Sequence, residues 1–244
     1  MQSLLKKNTF NEGIAELISL RKVLSAEMDS WRDILSGEGF CKMPFPNAEG
    51  YHSKTVAYSI WHIFRIEDIV VNTLIRNYEE ILFSCDFLKK TSSPIITTGN
   101  ELEKEQIVQF SQNLNITALC DYASSVQNTT DEWLKSLRFE DLKIRFSETD
   151  EDRIRTLGVV SADESAAWLI DYWCKKDVAG LLKMPLSRHW IMHIEAAVRI
   201  IGGNQEIPRL MAGFLCVVGL YARIICFRRS QSGRNSKGST FQKS

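Results

Sequence analysis

The sequence has no excess of either charge: 30 lysines and arginines stand against 30 aspartates and glutamates in 244 residues. Phosphate binding needs a concentrated basic surface, so no nucleic-acid partner is expected. The six cysteines, at 41, 85, 120, 174, 216 and 226, include no CxxC pair and no regular spacing. That excludes a zinc knuckle and a disulfide framework, and reduced thiols in a cytoplasmic protein are expected. The first residues, MQSLLKKNTFNEG, lack the sustained apolar core of an export signal. No phosphate-cradling glycine loop, nucleophile elbow or dinucleotide fingerprint occurs, which leaves the substrate unnamed. Histidine is scarce, with four residues at 52, 62, 189 and 193.

What is present is helical periodicity in a chain long enough for one well-filled domain. From about Asn11 to Leu35 the residues Ile14, Leu17, Ile18, Leu20, Val23, Leu24, Met28, Trp31 and Ile34 recur mostly at three- and four-residue intervals. This predicts a long amphipathic first helix that stops at Ser36-Gly37-Glu38-Gly39, before a crossing loop holding Pro44 and Pro46. A second, more apolar helix is expected from about Lys54 to Tyr78, capped by Ser53 or Thr55, with Tyr58, His62, Ile66, Ile69 and Thr73 on one inward row. Thr91 to Gly99 reads as a loop. A third helix is expected over Asn115 to Leu137, with Leu119, Tyr122, Ala123, Val126, Trp133 and Leu134 inward and Asp121, Asp131 and Lys135 outward.

Phe139 to Val160 is rich in charge, and its alternating Leu142, Ile144 and Phe146 suit at most a short extended piece. Ser161 to Glu164 has the form of a capping box for an apolar face of Trp168, Leu169, Tyr172 and Trp173. Pro185 suits the first turn of a last helix that reaches Gly202-Gly203. The expected architecture is all-α: an up-and-down four-helix bundle over residues 1–203 with long crossing loops.

Residues 204–244 differ in kind. Leu210 to Phe227 reads LMAGFLCVVGLYARIICF and is followed by a polar, serine-rich end without acidic residues. Three readings stay open for it: an extra C-terminal packing helix, a membrane anchor, or a segment outside the fold. Arg223 weighs against the anchor, because a charge at bilayer depth costs roughly 2.5–3.5 kcal/mol on insertion scales.

His189 and His193 are four residues apart on a predicted helix, so their rings leave the same face. Two neutral imidazoles so placed can share one divalent ion at roughly 2.0–2.1 Å, and His62 from a separate helix would complete a three-nitrogen set. Such a set leaves positions open for water or substrate, as catalytic metal sites do. An HxxxH pair alone equally fits two ordinary histidines, one part-exposed and one hydrogen-bonded in the core. His52 falls outside the pattern and reads as a surface residue. Tyr58, Trp61 and Trp190 either are plain core or wall a pocket beside the histidines; Trp168 and Trp173 read as core.

The segments Tyr58-Ser-Ile-Trp-His62-Ile-Phe-Arg65-Ile-Glu67-Asp68 and Ser187-Arg188-His189-Trp-Ile-Met-His193-Ile-Glu195 resemble the two signature regions of the DinB/YfiT-like superfamily. The resemblance spans about Asn11 to Ile201, with a long insert from Tyr78 to Gln112 and the tail as departures. It implies a four-helix bundle in which His62, His189 and His193 bind a divalent metal, nickel or zinc first, iron or manganese next. It also implies a thiol-dependent transferase or isomerase working on a small-molecule substrate with a low-molecular-weight thiol, or a damage- or stress-inducible protein without a settled reaction.

A metal held by three neutral imidazoles keeps its charge and can activate a water or thiol, for a transferase or hydrolase type of reaction. The competing expectation is a non-catalytic binding protein whose metal only pins helices. No general base is apparent: Glu67 and Asp68 do not share the face of His62 and read as salt-bridge partners, and Glu195 points elsewhere. A homodimer is compatible with an exposed apolar helix face but nothing requires it.

Overall fold

The computed structural model describes residues 2–202. In α1 (Phe10–Ile34) the buried residues Ile14, Leu17, Ile18, Leu24, Met28 and Trp31 follow the three-and-four spacing, so one stripe faces inward. Val23, expected on that stripe, is about half exposed because it precedes Leu24 and so sits about 100° around the helix. Ile34, also about half exposed, falls at the frayed end. Gly13 is required by close approach: a Cβ there would lie 2.4 Å from the backbone nitrogen of Leu4. The expected stop after α1 holds a further single turn, α2 (Gly37–Cys41), whose Gly39 amide donates to the Ser36 hydroxyl.

A 3-10 turn at Gly50–His52 leads to α3 (Val56–Asp68). The Tyr58 amide donates to Thr55 Oγ1 at 3.0 Å, which makes Thr55 rather than Ser53 the cap. Every residue of α3 is buried. The chain then widens into a π-helical stretch, Ile69–Ile75, and ends at Asn77, whose φ of 54° is the left-handed conformation that asparagine tolerates. The helix thus closes a few residues short of the expected Tyr78.

Thr91 to Gly99 is a loop as expected, and the insert around it, Tyr78 to Gln112, carries helices on both sides. It contains α4 (Ile81–Ser84), α5 (Phe87–Lys90) and α6 (Lys104–Asn113), the last opened by a Glu103/Gln106 capping box. α7 (Ile116–Ser136), capped by Asn115, matches the expected third helix closely. Asp131 was expected outward and is buried instead, because Arg21 of α1 reaches it.

The charged stretch after α7 is a 3-10 turn, Phe139–Lys143, and then α8 (Glu148–Leu157), which a Ser147/Asp150 capping box starts and Gly158 ends. The extended piece shrinks to one antiparallel bridge between Arg145 and Asp177, and no strand occurs among the described residues. α9 (Glu164–Cys174) is capped by Asp163, which accepts from the Ser165 amide, rather than by the expected Ser161–Glu164 box. Trp168 is 51% exposed, against the expectation of core, since its indole N–H is satisfied locally by the Ser165 carbonyl. α10 (Val178–Lys183) and a π turn with Pro185 near its start, Met184–Arg188, run into α11 (His189–Gly202).

The described fold is therefore all-α. α3 packs on both α7 and α11, and α1 packs on the same two helices. One buried polar hub joins these four. The Arg21 guanidinium donates to Glu67 of α3 through Nη1 and Nη2 at 2.8 and 2.7 Å, to Asp131 of α7 at 2.6 Å, and to the Leu186 carbonyl before α11. Trp190 of α11 completes it by donating to Glu67 at 2.9 Å beneath the Arg21 guanidinium.

Among the described residues no disulfide forms, and no helix is long and apolar enough to cross a membrane. The stretch 210–227 and every reading of 204–244 lie outside the described residues.

Candidate metal centre

His62 sits on the second turn of α3, and His189 and His193 occupy the first turns of α11. Because α3 and α11 pack side by side, the three rings meet. Ring centres are 5.0 Å apart for His62 and His189, 4.8 Å for His62 and His193, and 4.6 Å for His189 and His193. All three are buried, and each offers a nitrogen such that these atoms lie within 4.8 Å of one another. One shared ion with bonds of about 2.1 Å requires separations of about 4 Å or less, which small ring movements supply.

The hydrogen bonds around the cluster select the free atoms. His62 Nδ1 stands 2.8 Å from the Thr98 carbonyl oxygen; a carbonyl only accepts, so Nδ1 carries the proton and Nε2 keeps its lone pair. His189 Nδ1 and both ring nitrogens of His193 are buried with no partner in the protein. Buried imidazole nitrogens without partners are costly, and a cation taking their lone pairs removes that cost. Burial also lowers the pKa of His62 to about 4, and burial with the neighbouring imidazoles holds His189 and His193 well below their ordinary value. Three neutral donors at neutral pH are the form that a divalent metal needs.

The surrounding shell comes largely from the loop before α6. Tyr58, Trp61, His62 and Arg65 donate in turn to the carbonyls of Gly99, Thr97, Thr98 and Ile96, all at 2.8–3.0 Å. The face of α3 is zipped to this loop, which fixes the tautomer and orientation of His62. Gly99 has a φ of +80°, and a Cβ there would lie 3.1 Å from the Tyr58 ring. Glycine is needed on both counts.

The structure brings His62, His189 and His193 together with Tyr58 beside them, while Trp61 packs on Phe110 and Tyr122 and Trp190 on Phe64 and Arg21, so neither indole is shown to wall the site. Tyr58 stacks parallel to His62 at 5.5 Å with its hydroxyl satisfied, and Trp61 and Trp190 are fully buried with their N–H groups satisfied. Glu67 is bound up with Arg21. Asp68 accepts from the Ile81 and Leu82 amides, Asn72 and Tyr122, so neither acid faces the imidazoles as a free base. Glu195 pairs with Arg199 at the surface, and His52 is part-exposed.

Two contributors escape sequence reasoning. Tyr51 meets His193 edge-on at 4.6 Å, and the Thr98 carbonyl orients His62. Tyr51 carries no pattern that marks it, and a backbone carbonyl leaves no trace in residue type. No protein-family model matches the chain, and no curated protein matches it.

Proposed function

We propose that the chain is a metal-dependent enzyme of the DinB-like kind, with α1, α3, α7 and α11 as its four-helix bundle and His62, His189 and His193 as the ligands of one divalent transition metal. Nickel or zinc suits the three-imidazole set best, with iron and manganese as weaker fits. The observation that carries the reading is the set of buried, unpartnered imidazole nitrogens facing one another from two helices. The pairwise packing of those four helices supports the bundle. A bound cation with positions left open would make a water or small thiol nucleophilic at neutral pH, which suits a transferase or hydrolase working in the cytoplasm. The chain's own part is to present neutral nitrogens, hold His62 through Thr98, and cover the cluster with the Tyr58 and Tyr51 rings.

The burial of all three rings, each under one-tenth exposed, favours a second reading in which the metal only ties α3 to α11. Metal analysis of untagged protein tests the shared premise: about one nickel or zinc per chain is expected, and none in His62→Ala. Adding a small thiol to the cobalt-substituted protein then separates the two readings. A new thiolate-to-cobalt absorption supports the enzyme, whereas an unchanged spectrum leaves the metal structural.

A further inference from the structure

Lys54 sits at the start of α3, just before its cap. Its ammonium lies 5.0 Å from the centre of the Tyr58 ring, and that ring is stacked on His62. The side chain is half-buried. Among the described residues no carboxylate stands within ion-pair distance of it. The nearest acidic influence is Glu103, which acts only through space. Lys54 is close enough for its charge to act on both His62 and His193. Arg188, directly before His189, is exposed and adds a second cationic charge that acts on Tyr51, the ring lying against His193.

A cluster of three neutral imidazoles supplies no negative charge. A divalent ion there would face an unpaired ammonium across the Tyr58 ring, an arrangement that is repulsive by itself. It becomes favourable when an anion stands within reach of both charges. Resting on the metal reading above, we infer that Lys54 is the recognition residue for the anionic group of the ligand, and that the site takes a small organic acid whose carboxylate pairs with the ammonium. The Arg188 charge, next to His189 in the chain, favours a negatively charged ligand over a neutral one in the same sense. The plain alternative is a lysine whose stem covers apolar surface while its head stays in water; it predicts no effect on which ligand is preferred.

The test uses the full-length cobalt-substituted protein and two probes that differ in one group, 3-mercaptopropionate and 3-mercaptopropan-1-ol, each titrated by its thiolate-to-cobalt absorption. Wild type is expected to prefer the carboxylate by about tenfold, the worth of one charge-assisted hydrogen bond. Lys54→Met should erase most of that preference with cobalt content, far-ultraviolet circular dichroism and alcohol binding unchanged, and Lys54→Arg should keep it. Equal affinity of the two probes in wild type overturns the inference. So does a preference that survives in Lys54→Met, because the carboxylate is then held by the metal alone. Cobalt uptake without any thiol band leaves the metal and removes the anion site; failure to take up cobalt removes the metal reading and this inference together.

Discussion

His193 is the most deeply buried of the three imidazoles, and neither of its ring nitrogens has a partner in the protein. Its value to the fold therefore depends on what binds it. Ligand binding to the native state alone stabilises by about 2.7 kcal/mol at a free concentration of about one hundred times Kd. Nickel or zinc at that level is expected to raise the urea midpoint of the wild type accordingly and to leave that of His193→Ala where it was. An equal rise in both proteins would show that the metal binds elsewhere. Arg21 is the opposite kind of residue, one whose partners are all internal. Arg21→Met leaves Glu67 and Asp131 buried without their cation, and a loss of about 3–5 kcal/mol is expected in denaturant unfolding. Lysine would not restore it, because a single ammonium cannot reproduce the bidentate grip on Glu67.

At the scale of elements, the loop between α5 and α6 matters as much as the helices that bear the ligands. Its four carbonyls accept from successive polar atoms of α3, and the chain turns there at Gly99 in the left-handed region. Gly99→Ala introduces backbone strain of about 1–2 kcal/mol and presses on the Tyr58 ring. The expected result is a several-fold weaker metal affinity in a chelator competition titration, with helical content unchanged, since the loop no longer holds His62 in register. Unchanged affinity would mean that His62 needs no orienting partner.

Much of this scale is legible in the residue pattern. α1, α3, α7 and α11 carry long runs of three-and-four spacing, and Thr55 and Asn115 cap as their side-chain oxygens allow. α6 and α8 are short and polar, with few apolar positions to set a period, and so they do not stand out. Asp131 reads as outward because residue type argues for solvent, whereas the position is decided by Arg21, distant in sequence. Trp168 reads as inward for the converse reason: an apolar residue on a helix is taken for core, although this one meets only the Tyr172 ring one turn on and stays half exposed.

For the whole molecule the buried histidines link stability to pH. Their folded-state pKa values are depressed by burial, to about 4 for His62, against 6.5 when unfolded. Below about pH 6.5 the unfolded chain takes up protons that the metal-free native state refuses, so stability falls as pH drops toward 4. Each ring contributes a slope on the order of 1 kcal/mol per pH unit. Urea midpoints of metal-free protein should fall between pH 6.5 and 4.5 and level off above pH 7, and His62→Gln should flatten part of that slope. A midpoint independent of pH over this interval would show that the rings are not neutral inside the fold.

By itself the sequence determined that the chain is helical, where its longest helices run, and that His189 and His193 leave one face of one of them. These follow from local periodicity, which depends only on neighbours within about two turns. Tertiary structure alone decided that His62 meets that pair and that a loop carbonyl selects which nitrogen of His62 is free. Such facts depend on which helices pack together and on backbone atoms common to every residue type, and no local pattern encodes either.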